Sequence, residues 1–329
     1  MTDIIHIVSR FDGIGGTEFH AASLAAALRP LAQVRLWADD ATAAAPRYGA
    51  QAINTFGGAF PRGGTLIMVG THLQPGLWLD HARPERLVVI CNLFSAQRIF
   101  AFLSTLERPT LPVADLAFMS EMLKHAIGLP GRISPTLIDL EGFHPSRHRP
   151  TERFTIGRHS RDDALKHHPA DASLYAMLSW AGAEIHLIGA SHLQPALSVT
   201  PRLQVFPVGS QAPEDFLAGL DCFYYRTHPA WTEAGGRVVM EALARGLPVV
   251  AHPGGGYAEW IDDGENGFLS ATQEGLYERL LELKSSLATA TRLGRNARES
   301  ALRLSGGRSV CPGEKATGGK SATCIRHGA

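Results

Sequence analysis

The stretch CFYYRTHPAWTEAGGRVVMEALARGLPVVA, residues 222–251, holds a strand, a loop, a helix and a second strand in that order. Cys222 to Tyr225 and Pro248 to Ala251 are short apolar runs of the kind that form buried strands. Gly236 to Arg245 between them reads as a helix. Strands alternating with helices build a parallel sheet covered by helices. Working outward, the same alternation gives a strand at Phe154 to Ile156, a helix at Ala172 to Trp180, strands at Glu184 to Ile188 and Leu203 to Val208, and a helix at Pro213 to Leu220. Downstream lie a glycine-rich turn at Gly254 to Gly256 and a helix at Glu274 to Ser285.

A similar unit precedes it. Ile4 to Val8 reads as its first strand, Gly13 to Gly16 as a tight turn and Thr17 to Leu28 as a helix. Further strands are expected at Val34 to Trp37, Leu66 to Val69, Leu87 to Cys91, Leu116 to Met119 and Pro135 to Ile138. Between the units, LEGFHPSRHRPTER loses all periodicity, as an interdomain connection does. The boundary is expected near Pro150, with one domain over residues 1–150 and another over 151–304. From Ser305 the text SGGRSVCPGEKATGGKSATCIRHGA cannot pack a core, so residues 305–329 are expected to be disordered. Its abrupt start after LGRNARESALRL suggests a frameshift product standing in for a terminal helix.

The 329 residues carry 31 basic and 31 acidic side chains, so no net field draws the chain to nucleic acid or to an anionic membrane. Cys91, Cys222, Cys311 and Cys324 form no C-x-x-C pair, and the first two sit inside apolar runs. A cytoplasmic location is expected. There is no basic leader followed by an apolar core, and no run of 18 apolar residues.

Glu233 and Glu241 stand eight positions apart around Gly235 and Gly236. In an open parallel sheet, ligands bind where strands end and helices begin. Glu233 falls in such a loop and Glu241 a turn and a half into the next helix, so the two carboxylates can reach two parts of one ligand. The glycines let backbone amides approach closely, and a helix N-terminus attracts phosphate. The bland alternative is a solvated loop residue and an exposed helix residue. Against it, Val238, Val239, Met240, Ala242 and Leu243 surround Glu241 with apolar side chains.

The Glu-x7-Glu pair, followed by EALARGLPVVAHPGGGYAEWIDDGENGFL, resembles the donor-binding segment of the retaining glycosyltransferases of family 4, once called group 1. The resemblance implies a GT-B fold, two Rossmann-like domains facing across a cleft. It implies that Glu233 binds hydroxyls of the donor sugar, that Glu241 binds the nucleotide ribose, and that Gly235 and Gly236 present amides, although the family usually has an aromatic where Gly235 stands. FTIGRHSRDDALKHH resembles the family segment carrying an arginine and, five residues on, a lysine. Arg161 and Lys166 match it, with Arg158 and Ser160 beside them, as cations for a leaving diphosphate. Gly254, Gly255 and Glu259 fall in a loop that the resemblance brings to the nucleotide. GIGGTEFHAASLAAAL is similar to the family's first glycine-rich loop, through Gly15 and Gly16, and His72 stands where the family carries a histidine near the reacting centre. Trp78 and Trp231 fit either a carbohydrate surface or a core.

The expected reaction is metal-independent transfer of a sugar from a nucleoside diphosphate sugar to a hydroxyl acceptor, with retention at the anomeric carbon and no cofactor. The acceptor is a carbohydrate or a lipid-linked one at the inner face of a membrane, in polysaccharide or glycolipid synthesis. No Asp-x-Asp occurs, Asp139 and Glu141 being the nearest approach, and the fifteen histidines show no metal-ligand spacing. Three other readings stay open. One is a nucleotide-sugar epimerase of the same architecture, which would convert the donor alone. Another is a Rossmann oxidoreductase, suggested by Gly13, Gly15 and the acidic pair Asp39 and Asp40, but Glu18 occupies its third glycine position. The last is an inactive nucleotide-sugar-binding paralogue.

Overall fold

The computed structural model describes residues 4–13, 15–39, 44–145 and 153–306. In the first domain β1 (Ile4–Ser9), α1 (Gly16–Leu28), β2 (Gln33–Ala38), β3 (Gln51–Ala52), β4 (Thr65–Val69) and α2 (Trp78–Ala82) come first. β5 (Arg86–Cys91), α3 (Ala96–Thr105), β6 (Ala114–Phe118), α4 (Glu121–Ile127) and β7 (Arg132–Ile133) complete it. The second domain contains β8 (Thr155–His159), α5 (Asp171–Trp180), β9 (Glu184–Ile188), α6 (Gln194–Leu197), β10 (Leu203–Phe206), α7 (Pro213–Ala218) and β11 (Cys222–Tyr225). It continues through α8 (Arg237–Arg245), β12 (Val249–Ala251), β13 (Gly267–Leu269), α9 (Gln273–Ser285) and α10 (Leu287–Gly306).

The strands form two parallel sheets, ordered β3-β2-β1-β4-β5-β6-β7 and β10-β9-β8-β11-β12-β13. Consecutive strand residues such as Ile7 and Val8, or Leu66, Ile67 and Met68, are all buried, because helices cover both faces. That arrangement is why these strands read as unbroken apolar runs.

In each sheet the first strand is a switch point. β1 lies between β2 and β4, and β8 between β9 and β11, so the connections leave in opposite directions and open a crevice at the carboxyl ends. The two crevices face one another. The loops after β1 and β4 carry Gly15, Gly16 and His72; those after β8 and β11 carry Arg161, Lys166 and Glu233.

Side chains from one domain satisfy backbone groups of the other. The Ser120 hydroxyl donates to the Ala234 carbonyl at 2.7 Å. The Glu259 carboxylate accepts from the amides of Met122 at 2.6 Å and Glu121 at 2.9 Å, the first turn of α4. Arg237 donates to the Leu137 carbonyl at 3.0 Å. A Cβ at position 256 would run into the Ala234 carbonyl and the Ser120 side chain, so Gly256 is what permits this close approach.

Two features differ from the sequence reading. No strand forms at Pro135 to Ile138: the edge strand is Arg132–Ile133, and Pro135, lacking an N–H, cannot extend its ladder. The residues after it lead into the domain junction instead. Ile138 and Phe143 are buried in the second domain's core, and Arg298 of α10 donates to the Leu140 and Phe143 carbonyls at 3.1 and 2.9 Å. Thus α10 clamps the connection. His148, Pro150 and residues 307–329, with Cys311 and Cys324, lie outside the described residues, as does Asp40. No helix among the described residues is long and apolar enough to cross a membrane.

Candidate active site

The facing crevices enclose a cleft of about 340 Å³. Of the residues singled out in the sequence, Gly15, Gly16, His72, Arg161, Lys166, Glu233, Gly235 and Gly236 all line it. Glu233 is its best-anchored acid. Lys166 Nζ donates to Glu233 Oε2 at 2.6 Å, and the Tyr225 hydroxyl donates to the same oxygen at 3.0 Å. Burial works to raise the Glu233 carboxyl, but Lys166, Tyr225 and Trp231 outweigh it and hold it below the ordinary carboxylate range. Glu233 is therefore an anion at neutral pH. Its backbone is held as well: the Glu233 carbonyl accepts the Gly256 amide at 2.8 Å, and Glu233 pairs with Gly255 in a single β-bridge.

Lys166 ends a short 3₁₀ turn that Asp163 caps, accepting from the Leu165 amide at 3.0 Å. Its ammonium lies 4.7 Å from the centre of the Trp231 ring, which places Trp231 in the cleft wall, whereas Trp78 is core. Arg161 precedes the turn and is exposed to the cleft.

The helix N-termini add a second source of positive potential. Gly236, at φ 77°, is the N-cap of α8, and Gly15 is the N-cap of α1; neither helix has a side-chain cap. The first turns of two helices, one from each domain, border the same cleft, and the Glu18 carboxylate folds back onto the start of α1 while α8 begins with no acidic side chain in its first turn. The glycine at 235 also has a neighbour: a Cβ there would stand 3.2 Å from the Met119 side chain. Met119 of the first domain thus fills the space that a side chain at position 235 would take.

Five expected ligand groups do other work here. Arg158 does not reach the cleft: it is fully buried, donates to the Arg226 carbonyl at 2.7 Å and to the Lys166 carbonyl, and lies 3.6 Å from Asp171. It corrects the expectation of a third phosphate cation, since a buried guanidinium needs its own partners. Gly254 donates its amide to His252 Nδ1 at 3.0 Å, Gly255 pairs with Glu233 in the β-bridge, and neither lines the cleft. Glu259 is committed to α4. Glu241 is only 4% exposed; its Oε1 accepts from Arg237 Nε at 2.7 Å, and His159 Nε2 lies 3.2 Å from Oε2. Burial works to raise this carboxyl too, but His159 and Arg237 outweigh it and hold it low. Arg237, one turn before Glu241 on α8, lines the cleft in its place.

The cleft wall includes residues that the sequence reading did not select: Asp12, Glu18, His20, Asn92, Arg98 and Arg237. Asn92 and Arg98 follow the end of β5 as His72 follows β4, so the strand-end rule alone would have found them. Glu18, which occupies the third glycine position of a dinucleotide fingerprint, is buried in the cleft wall. Burial, foremost, raises its carboxyl. Burial lowers His72, with Arg10 next, keeping that imidazole neutral.

Residues 196–300 match the family model of glycosyl transferases group 1. No curated protein matches the chain by sequence. Among solved structures, HepE of Anabaena in complex with UDP superposes with a TM-score of 0.71 at 17% identity, over 91% of this chain and 95% of that one. A glycosyltransferase of Rickettsia africae superposes with a TM-score of 0.70 at 14% identity, over 92% and 94%. WaaG, a glycosyltransferase involved in lipopolysaccharide biosynthesis, gives 0.65 at 18%, over 91% and 95%. The chain thus has the GT-B fold, and its second domain carries a segment matching the group 1 glycosyl transferases.

Proposed function

We propose that the protein transfers a sugar from a nucleoside diphosphate sugar to a hydroxyl of a carbohydrate or lipid-linked acceptor, with retention at the anomeric carbon and without a metal ion. The observation that carries this reading is the grouping of Lys166, Arg161 and the uncapped start of α8 around Glu233 in one cleft. HepE, of the same fold, has been crystallised with UDP and with UDP-glucose.

In this reaction the bond between the anomeric carbon and the diphosphate oxygen breaks, and negative charge grows on the departing diphosphate. Lys166, Arg161 and the α8 amides stand ready to stabilise that charge, the role a metal plays elsewhere. Glu233, ionised and fixed by Lys166 and Tyr225, orients the sugar hydroxyls, so that little reorganisation remains when the acceptor attacks. The acceptor oxygen bonds to the anomeric carbon from the face that the diphosphate leaves, which gives retention, and the acceptor proton passes to the departing diphosphate oxygen. The experiment is product analysis by NMR: an α-configured donor should give an α-linked product, with equal rates in magnesium and in EDTA. A β-linked product, or turnover abolished by EDTA, contradicts the proposal. Conversion of the donor sugar without any acceptor would establish the epimerase instead.

A further inference from the structure

Three His-Pro dipeptides, each followed by a small residue, stand at His168 to Ala170, His228 to Ala230 and His252 to Gly254, and the fold gathers them around Arg226. The strand ends explain the gathering. Arg226 follows β11, and His252 follows the neighbouring β12, with its amide donating to the Tyr225 carbonyl at 3.1 Å. The His228 amide donates to the Leu165 carbonyl at 3.1 Å, which holds the loop after β11 against the loop that carries His168. The Arg226 guanidinium donates to His168 Nδ1. All four side chains belong to the second domain, and none lines the cleft.

In each dipeptide the ring Nδ1 accepts the amide two residues on, from Ala170 at 3.1 Å, Ala230 at 3.0 Å and Gly254 at 3.0 Å. The proline between them fixes φ and so holds the turn. A nitrogen that accepts a hydrogen bond keeps its lone pair, so each neutral ring carries its proton on Nε2. The remaining His-Pro of the chain behaves differently: His144 Nδ1 lies 2.7 Å from the Glu141 carbonyl and must itself carry the proton. The rings of His168, His228 and His252 are half-buried, and each Nε2 is open to solvent with no partner among the described residues. Burial, then Arg226, His252 and His228, push His168 down to about 4, and burial followed by Arg226 lowers His252. No acid is among the groups whose charge these two rings feel.

The charge beneath the rings is unbalanced. Arg158 and Arg226 share one carboxylate, Asp171, at 3.6 and 3.4 Å, and burying a cation without a matching anion is costly. Arg226 is only 4% exposed, so it acts on a ligand through its field and not by contact. A metal is excluded by the tautomer, since a ligating nitrogen must offer a lone pair where these rings present N–H, and the guanidinium repels a cation. Donors around a buried positive charge suit an anion. We propose that His168, His228 and His252 form a phosphate-binding site on the second domain, outside the cleft, in which their Nε2–H groups donate to the phosphate oxygens. Three donors match the three terminal oxygens of a phosphate monoester, where a carboxylate offers two. The Thr227 hydroxyl donates to the Trp231 carbonyl at 3.0 Å, which ties the site to the cleft wall. The same chemistry serves a phosphate carried on a substrate and free phosphate, and the experiment separates the two.

The test is NMR of the imidazole nitrogens of the full chain, titrated with inorganic phosphate, glycerol phosphate and acetate. In the wild type His168, His228 and His252 should appear as Nε2–H tautomers. Inorganic phosphate should shift all three on one saturation curve and leave His72, in the cleft, unmoved. His228→Asn and His252→Asn each keep an oxygen that can accept the turn amide but lose the ring N–H. Each should weaken phosphate about tenfold, the scale of one hydrogen bond to a charged group. Two positions keep the test open should one variant fail to fold. Glycerol phosphate binding more tightly than inorganic phosphate assigns the site to a phosphorylated substrate, and equal or weaker binding assigns it to free phosphate. A proton on Nδ1 in any of the three rings, no shift with either phosphate, or a shift confined to His72 overturns the proposal. So does acetate binding as tightly as phosphate, or wild-type affinity in a folded asparagine variant.

Discussion

The Lys166 ammonium and the Glu233 carboxylate, 67 residues apart in the chain, meet at 2.6 Å in the cleft between the domains. In the proposed reaction this pair links the cation that faces the leaving group to the anion that holds the sugar, and each fixes the other. Lys166→Ala should lower turnover on the order of 10²-fold, because a preorganised charge facing the developing diphosphate is lost. Tyr225→Phe removes only one of the two donors to Glu233 Oε2 and should cost less, roughly 5-fold by the scale of a single hydrogen bond. Steady-state kinetics with both variants check the ranking; a Tyr225→Phe enzyme slower than Lys166→Ala would reverse it.

Glu259 holds the domains together through α4. Its carboxylate accepts two first-turn amides at a helix start, where negative charge is favoured. Glu259→Ala should destabilise the protein by about 1 kcal/mol and widen the distribution of interdomain distances in solution scattering. Unchanged scattering with unchanged melting would mean that this contact does not restrain the cleft.

Arg158 is expected to act through structure. Arg158→Lys keeps a charge but loses the fork that serves the Lys166 and Arg226 carbonyls, leaving Asp171 with a poorer partner. Breaking such a buried network costs about 3–5 kcal/mol. Urea unfolding should show a loss of this order, and a variant as stable as wild type would return Arg158 to the list of ligand groups.

Stability should also fall in mild acid. His20 is pushed down to about 4, by burial and then Arg237, and His167 to about 2, by burial and then Arg158. Unfolded, both take up a proton near pH 6.5. Below that pH the unfolded chain binds more protons than the folded one, so folding stability drops as pH falls from about 6.5 toward 4, by about 3 kcal/mol for His20 alone. Glu233 and Glu241, held low, add to the loss only below about pH 4.5. Urea midpoints at pH 7, 5.5 and 4.5 test the sign, and His20→Leu should flatten the slope between the first two.

Much of this architecture was legible in the sequence because parallel strands buried on both faces leave unbroken apolar text. The strands at Glu184–Ile188 and Cys222–Tyr225 fall where the apolar runs do. Short, edge or surface elements leave weaker marks: β3 and β7 are two residues each, and α3 exposes seven of its ten residues. At the site, residues named by spacing within one segment, Lys166 after Arg161 and Glu233 before Gly235, do come together. Residues whose role depends on the other domain were not legible. Nothing near Glu259 in sequence announces α4, 137 residues away, and nothing near His20 announces Arg237. Arg158 was misread for the reverse reason: its neighbours look like a phosphate loop, while its strand position aims it into the interior.

The most direct test of the account is thermal stabilisation of the wild type, Arg161→Ala and Lys166→Ala by UDP, GDP and ADP, each with magnesium and with EDTA. A ligand that binds only the folded state raises its apparent stability according to concentration over Kd. The account predicts a rise with one nucleotide, equal in magnesium and EDTA, and strongly reduced in both variants. No rise with any nucleotide, or a rise that survives both substitutions, would contradict it.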